Sequence, residues 1–145
     1  MLVEVDVEIP FRAAEVWGLA GGFNLLPAIS TGTAASKLED GGRIRVVTNI
    51  DGSILWERLL TFNEADRTLS YEITQSSGFS SAYDVGYVGT VQVVENGEGG
   101  SIFRYSGNFD PTPGTTPEKA RAAVESFARD CAACIEVLLN GQSKV

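Results

Sequence analysis

Histidine is absent from the 145 residues. That absence excludes much chemistry. There is no Ser-His-Asp triad and no Cys-His dyad, and no imidazole to hold zinc or iron. Proton transfer is left to Asp, Glu, Tyr, Lys, Cys or a bound water. Basic residues are scarce as well: 11 Lys and Arg stand against 19 Asp and Glu, for a net charge of −8 and a pI of about 4.5. Nucleic-acid binders displace counterions with basic patches, and anionic membrane surfaces attract Lys and Arg. Neither partner is expected here. No apolar run approaches the ~20 residues that span a bilayer. The start, "MLVEVDVEIP", carries acids at alternate positions, unlike the basic and then apolar start of a signal peptide. The expected compartment is the cytoplasm. Cysteine is limited to "CAAC", Cys131 to Cys134. The length suits one domain, residues 1–145, with a proper core.

What is present reads as strands followed by a helix. "LVEVDVEI" alternates Val3, Val5, Val7 and Ile9 with Glu4, Asp6 and Glu8, the pattern of a half-buried antiparallel strand. "RAAEVWGLA" has helical spacing at Ala13, Val16, Trp17 and Ala20, and Gly21-Gly22 break it. "FNLLPAI" predicts a second helical turn, stopped at Pro27. "TGTAASKLE" turns at "DGG" into "RIRVVTNI", and Asp51-Gly52 is a hairpin signal leading into "SILWERLLTF". "LSYEIT" puts Leu69, Tyr71 and Ile73 on one face, and "QSSGFSSA" reads as a flexible loop. "YDVGYVGTVQVV" predicts a long strand with Tyr83, Val85, Tyr87, Gly89, Val91 and Val93 on one side. "SIFRYSGNF" does the same for Phe103, Tyr105 and Phe109.

The last element is a long helix. Thr116 suits the N-cap, Pro117 the first helical position and Glu118 the positive end of the dipole. Val124, Phe127, Ala128, Cys131, Ile135 and Leu138 form its apolar stripe, Glu125 and Arg129 make an i,i+4 pair, and Gly141 ends it. An antiparallel sheet followed by one apolar-faced helix predicts an α+β domain in which the sheet curls around the helix and leaves a hollow between them.

"VWGLAGGFNLLPAI", "GRIRVV", "DGSILWERLL", "LSYEI", "SAYDVGYVGTVQVV" and "YSGNFDP" stand in an order that resembles the polyketide cyclase/dehydrase-like branch of the START/Bet v 1 superfamily. The resemblance covers nearly the whole chain. It implies the helix-grip fold, a curved antiparallel sheet wrapped around a C-terminal helix over a hydrophobic cavity. It also bears on "SILWERLL", where Glu57 and Arg58 point to opposite faces. Apolar alternation alone would turn Ile54, Trp56, Leu60 and Phe62 inward, with Arg58. The resemblance implies instead that Glu57 faces the cavity, joined by Arg45 and Tyr83. Trp56 and Phe62 would then lie outside, covering a partner subunit in a homodimer or forming an exposed apolar patch.

A carboxylate at an apolar cavity needs a partner, and Arg45 lies on the adjacent strand. The pair would orient a carbonyl or carboxylate ligand, or it is a structural ion pair. Glu57 is also the candidate general base, with Tyr83 as the second catalytic candidate. Tyr71, Tyr87, Tyr105, Phe109 and Phe127 are candidate ligand-binding residues, with core filling as the plainer reading of each tyrosine. Asn49 is a candidate polar liner or an exposed residue at a hairpin end. "CAAC" falls late in the helix, where the dipole opposes a thiolate, and it lacks further metal ligands, so it reads as packing. No cofactor is implied. Two functions remain. One is cofactor-independent cyclase or dehydratase chemistry on a polyketide-like or aromatic small molecule. The other is a carrier or sensor of a hydrophobic small ligand without turnover.

Overall fold

The computed structural model describes residues 1–143. Strand β1 (Leu2–Ile9) is followed by helices α1 (Ala13–Ala20) and α2 (Leu26–Ile29). Six strands come next: β2 (Thr33–Glu39), β3 (Ile44–Asn49), β4 (Ile54–Asn63), β5 (Thr68–Ser77), β6 (Val88–Glu95) and β7 (Ser101–Asn108). Helix α3 (Pro117–Ser143) closes the order. The strands form one antiparallel sheet in the order β1-β7-β6-β5-β4-β3-β2. Every step except β1-β7 joins neighbours in sequence, so short hairpins build the sheet and β1 is added at its far edge. This is the helix-grip arrangement, an α+β fold. No helix among the described residues is long and apolar enough to cross a membrane.

Local chemistry explains most of the boundaries. Val3, Val5 and Ile9 of β1 are buried while Glu4, Asp6 and Glu8 are exposed. At the β3–β4 hairpin, Gly52 takes φ +88°, and the Asp51 carboxylate accepts hydrogen bonds from the Ser53 amide (2.9 Å) and hydroxyl (2.6 Å). Thr116 caps α3, its Oγ1 accepting from the Lys119 amide at 3.2 Å. Pro27 sits in the first turn of α2 and opens that helix instead of stopping it, because a residue that lacks an N–H loses nothing there. Gly141 lies inside α3 and does not end it. Leu139, not Leu138, is the buried residue near that end, and Leu138 is exposed. Glu125 and Arg129 form no ion pair among the described residues.

Two departures from simple alternation matter more. The register of β4 against β5 slips between Leu59 and Thr61, so Leu60 is an extra residue. One extra residue turns everything after it to the other face. Phe62 therefore pairs with Leu69 on the inner side and meets Trp17 at 5.6 Å between ring centroids. It is not on the outer face with Trp56, and the expected two-residue outer patch does not form. The second departure is Tyr83 to Tyr87, which precedes β6 in a turn instead of belonging to a long strand. Gly86 takes φ +96° there, and Val85 is exposed. Tyr87 still points inward and is buried, held by Ile73, whose amide donates to the Tyr87 carbonyl at 2.9 Å.

Helix α3 makes its main contacts with β1, β7, α1 and α2. Its core side is Ala120, Val124, Ala128, Cys131, Ala132 and Ile135, all buried. Small residues on much of this face bring the helix close to one side of the sheet. The inner faces of β3, β4 and β5 lie beyond its main contacts, and the candidate site is there.

Candidate functional site

Arg45 and Glu57 are directly opposed partners of the β3–β4 hairpin. Both side chains are about 6% exposed, and Arg45 Nε donates to Glu57 Oε1 at 2.7 Å. Arg45 Nη1 donates to the Phe23 carbonyl at 2.9 Å. The guanidinium carbon lies 4.5 Å from the Phe23 ring centroid and 4.6 Å from that of Tyr71. A flat cation is thus held between two π faces, one charged oxygen and one carbonyl. Burial is the largest influence on Arg45 and lowers its pKa, but the charge and hydrogen bond of Glu57 together with Tyr71 and Tyr105 outweigh it and hold the pKa above its ordinary value. Glu57 Oε2 makes no hydrogen bond among the described residues.

Next to the pair is a chain of tyrosine hydroxyls. Tyr105 Oη is 2.7 Å from Tyr71 Oη and 2.6 Å from Tyr87 Oη. Tyr83 stacks on Tyr87 with ring centroids 4.2 Å apart, and Phe109 packs against both. Phe127 of α3 meets Tyr105 edge-on at 5.3 Å. Burial is the main cause that raises the pKa of Tyr71, Tyr83, Tyr87 and Tyr105 above its ordinary value, and the Glu57 charge adds to it at Tyr71, Tyr83 and Tyr87. All four are therefore neutral hydroxyls at ordinary pH, able to donate and to accept.

Two hollows flank these groups. The larger is about 110 Å³ and is lined by Glu57, Tyr71, Tyr83, Tyr87, Phe79 and Phe127, with Asn49, Ser30 and Thr33 toward the β3–β4 turn and the α2–β2 loop. The smaller is about 20 Å³ and is lined by Arg45, Tyr71, Tyr105, Phe127 and Cys131, among others. Glu57, Tyr83, Tyr87, Asn49, Tyr71 and Phe127 thus come together around the larger hollow. Arg45 and Tyr105 do not line it; they stand behind Glu57 and Tyr71. Phe109 lines neither and backs the tyrosine stack. Asn49 Nδ2 donates to Ser53 Oγ at 3.0 Å. Among the described residues, no group of three or more His, Cys, Asp or Glu is placed to hold a metal ion.

Alternation in the sequence did not single out Phe23, Phe79 or the glycines beneath the tyrosines. Phe23 follows a helix end, and Phe79 lies in the loop after β5. Gly89 and Gly107 are inner-face positions where a side chain would be expected. A Cβ at Gly89 would come within 2.5 Å of Tyr71 Cζ, and one at Gly107 within 2.5 Å of Tyr87 Oη. Glycine inside a strand pattern was the available signal, since it often marks the close approach of another group.

The sequence profile of a family described as "Polyketide cyclase / dehydrase and lipid transport" matches residues 2–138. Among solved structures, an uncharacterized protein from Bacillus thuringiensis is 32% identical, with a TM-score of 0.84 over 95% of this chain and 98% of that one. The protein XoxI from Bacillus cereus is 31% identical, with a TM-score of 0.84 over 94% of each chain. A START superfamily protein from Mycobacterium smegmatis shares the fold at 11% identity, with a TM-score of 0.75 over 97% of this chain and 98% of its own. No curated protein matches the chain.

Proposed function

The chain belongs to the polyketide cyclase/dehydrase and lipid transport family, and on that premise we propose that it binds a small hydrophobic molecule in the larger hollow, with Glu57 and the tyrosine hydroxyls fixing its orientation. The observation that carries this reading is that aromatic walls and a few convergent polar groups meet in one hollow. That is the usual composition of a small-molecule site. At about 110 Å³ the hollow is small. A dry cavity of about 150 Å³ binds benzene, so a single ring is the upper limit and already requires the side chains to yield slightly, while a polyketide of several rings would require the walls to move much further. Native mass spectrometry of freshly purified protein, followed by denaturing extraction, tests this. A co-purifying single-ring molecule supports the reading. Co-purification of a long-chain lipid alone, seated away from Tyr83 and Tyr87, counts against it.

Cofactor-independent cyclase or dehydratase chemistry is the second reading, and one arrangement favours it. Glu57, with one carboxylate oxygen outside its bond to Arg45, and the neutral tyrosines Tyr71, Tyr83 and Tyr87 line the same hollow. A carboxylate oxygen there would take a proton from an activated C–H while a hydroxyl donates to the developing enolate oxygen. Holding a flexible substrate in a reactive shape would add to the rate. On this reading Glu57→Gln abolishes turnover of any substrate found, while the folded state and ligand binding survive. Full activity in that variant would remove Glu57 as the base and leave the non-catalytic carrier or sensor.

A further inference from the structure

The polar groups of the larger hollow have a definite hydrogen-bonding sense. On one side is Glu57. Its Oε1 is committed to Arg45 Nε at 2.7 Å, so what remains for a ligand is Oε2, which only accepts. Among the described residues, no Lys or Arg lines this hollow. Arg45 is turned away, with Nε on Glu57, Nη1 on the Phe23 carbonyl and its plane between two rings. The other polar liners, Ser30, Thr33 and Asn49, are neutral.

On the other side are hydroxyls with a proton to spare. Tyr71, Tyr105 and Tyr87 carry three hydroxyl protons but share only two hydrogen bonds. If the spare proton were on Tyr105, it would be buried in the middle of the chain with nothing left to receive it, which is the costly arrangement. The spare donor therefore belongs at an end, on Tyr71 or Tyr87, and both of these line the larger hollow. The Tyr83 hydroxyl, at the same hollow, makes no hydrogen bond among the described residues. The hollow thus offers one acceptor that carries charge and at least one unused donor.

We propose that this hollow selects a molecule with a hydroxyl group on a single aromatic ring, a phenol-type ligand, over the corresponding ether, carboxylate or ammonium compound. The inference rests on the reading that the hollow binds a small hydrophobic molecule. A phenol donates its one proton to Glu57 Oε2 and accepts from a tyrosine hydroxyl, so both sides are satisfied at once. An ether has no proton for Glu57. A carboxylate meets the Glu57 carboxylate with no free cation nearby. An ammonium ion finds its acceptor already shared with Arg45, whose charge repels it. The ring lies against Phe79, Tyr83, Tyr87 and Phe127.

The test is titration calorimetry of the full chain at pH 7 with phenol, anisole, benzoate and benzylamine, which share one ring and differ in the head group. Phenol is expected to bind at least about tenfold more tightly than anisole, a loss typical of one buried hydrogen bond left unmade. Benzoate and benzylamine are expected to show no saturable binding. Glu57→Gln and Tyr83→Phe should each narrow the phenol-to-anisole ratio to about threefold or less while the circular dichroism spectrum stays native. The wild-type comparison stands if either variant fails to fold. Anisole or benzoate binding as tightly as phenol overturns the proposal and leaves cavity binding in place, as does benzylamine binding best. Binding by none of the four overturns both.

Discussion

Gly89 of β6 and Gly107 of β7 stand directly opposite each other in the sheet, and each lies beneath a tyrosine. Tyr71 lies over Gly89 and Tyr87 over Gly107, which lets both hydroxyls converge on Tyr105. The polar end of the hollow thus depends on two side chains that are absent. Gly107→Ala is expected to displace the Tyr87 hydroxyl and to cost about 1–3 kcal/mol, the usual penalty for overpacking a filled core. Urea unfolding of the variant checks it, and an unchanged midpoint would mean that the ring moves aside freely.

Arg45 and Glu57 are expected to behave as a unit. Removing one partner leaves the other charge buried, which costs about 3–5 kcal/mol, whereas replacing both with apolar residues is often close to neutral. Arg45→Met should therefore lower stability by about that amount, and Arg45→Met with Glu57→Leu should recover most of it. A double-mutant cycle by chemical denaturation measures the coupling. Additive losses would mean that the two charges are independently solvated.

The tyrosines predict an alkaline limit. All four tyrosines of the chain have pKa values raised by burial. A phenol whose pKa is higher in the folded than in the unfolded chain holds its proton more tightly when folded. Its contribution to stability is complete below the unfolded value of about 10 and is lost as pH rises beyond it. Stability should be insensitive to these groups up to about pH 10 and then fall. Tyrosinate absorbance should appear together with the loss of native circular dichroism. Tyrosinate formed in a chain that stays folded at pH 10 would contradict this.

The two cysteines should be sluggish thiols. Burial raises the pKa of both Cys131 and Cys134, and Asp130 adds to it in each case. The thiolate is the reactive form. With Ellman's reagent at pH 8, Cys134, which is half-buried, should react first and more slowly than free cysteine. Cys131 should react only as the chain unfolds. Fast, equal labelling of both would show that α3 opens readily from the sheet.

Much of this architecture was legible in the sequence because it rests on local rules. The alternation of Val3, Val5 and Ile9 against acids is enough for a half-buried antiparallel strand. Thr116 and Pro117 mark the start of α3 because a cap and a missing N–H act within one turn. Glu57 is different. Apolar alternation favoured the opposite face, and the inward direction came only with the family resemblance. Phe62 escaped the reading that turned Glu57 inward, because a single extra residue, Leu60, turns the strand over. No local rule announces such a bulge. Tyr83 and Tyr87 continue an alternating pattern on paper, but Gly86 at φ +96° takes them off the strand.

The sequence by itself determined the set of available chemistry. A chain without histidine and with few cations leaves carboxylate, hydroxyl, amide, thiol and a strand-face guanidinium as the groups it has to offer. Periodicity and caps, which act over a few residues, determined the succession of elements as well. Only the tertiary structure decided which of those groups line the hollow. It turned Arg45 away, between Phe23 and Tyr71, left one Glu57 oxygen free, and laid the tyrosines over Gly89 and Gly107. Those outcomes depend on contacts between residues far apart in the chain. Close packing settles them, because each buried polar atom must find its partner in whatever space the neighbouring side chains leave.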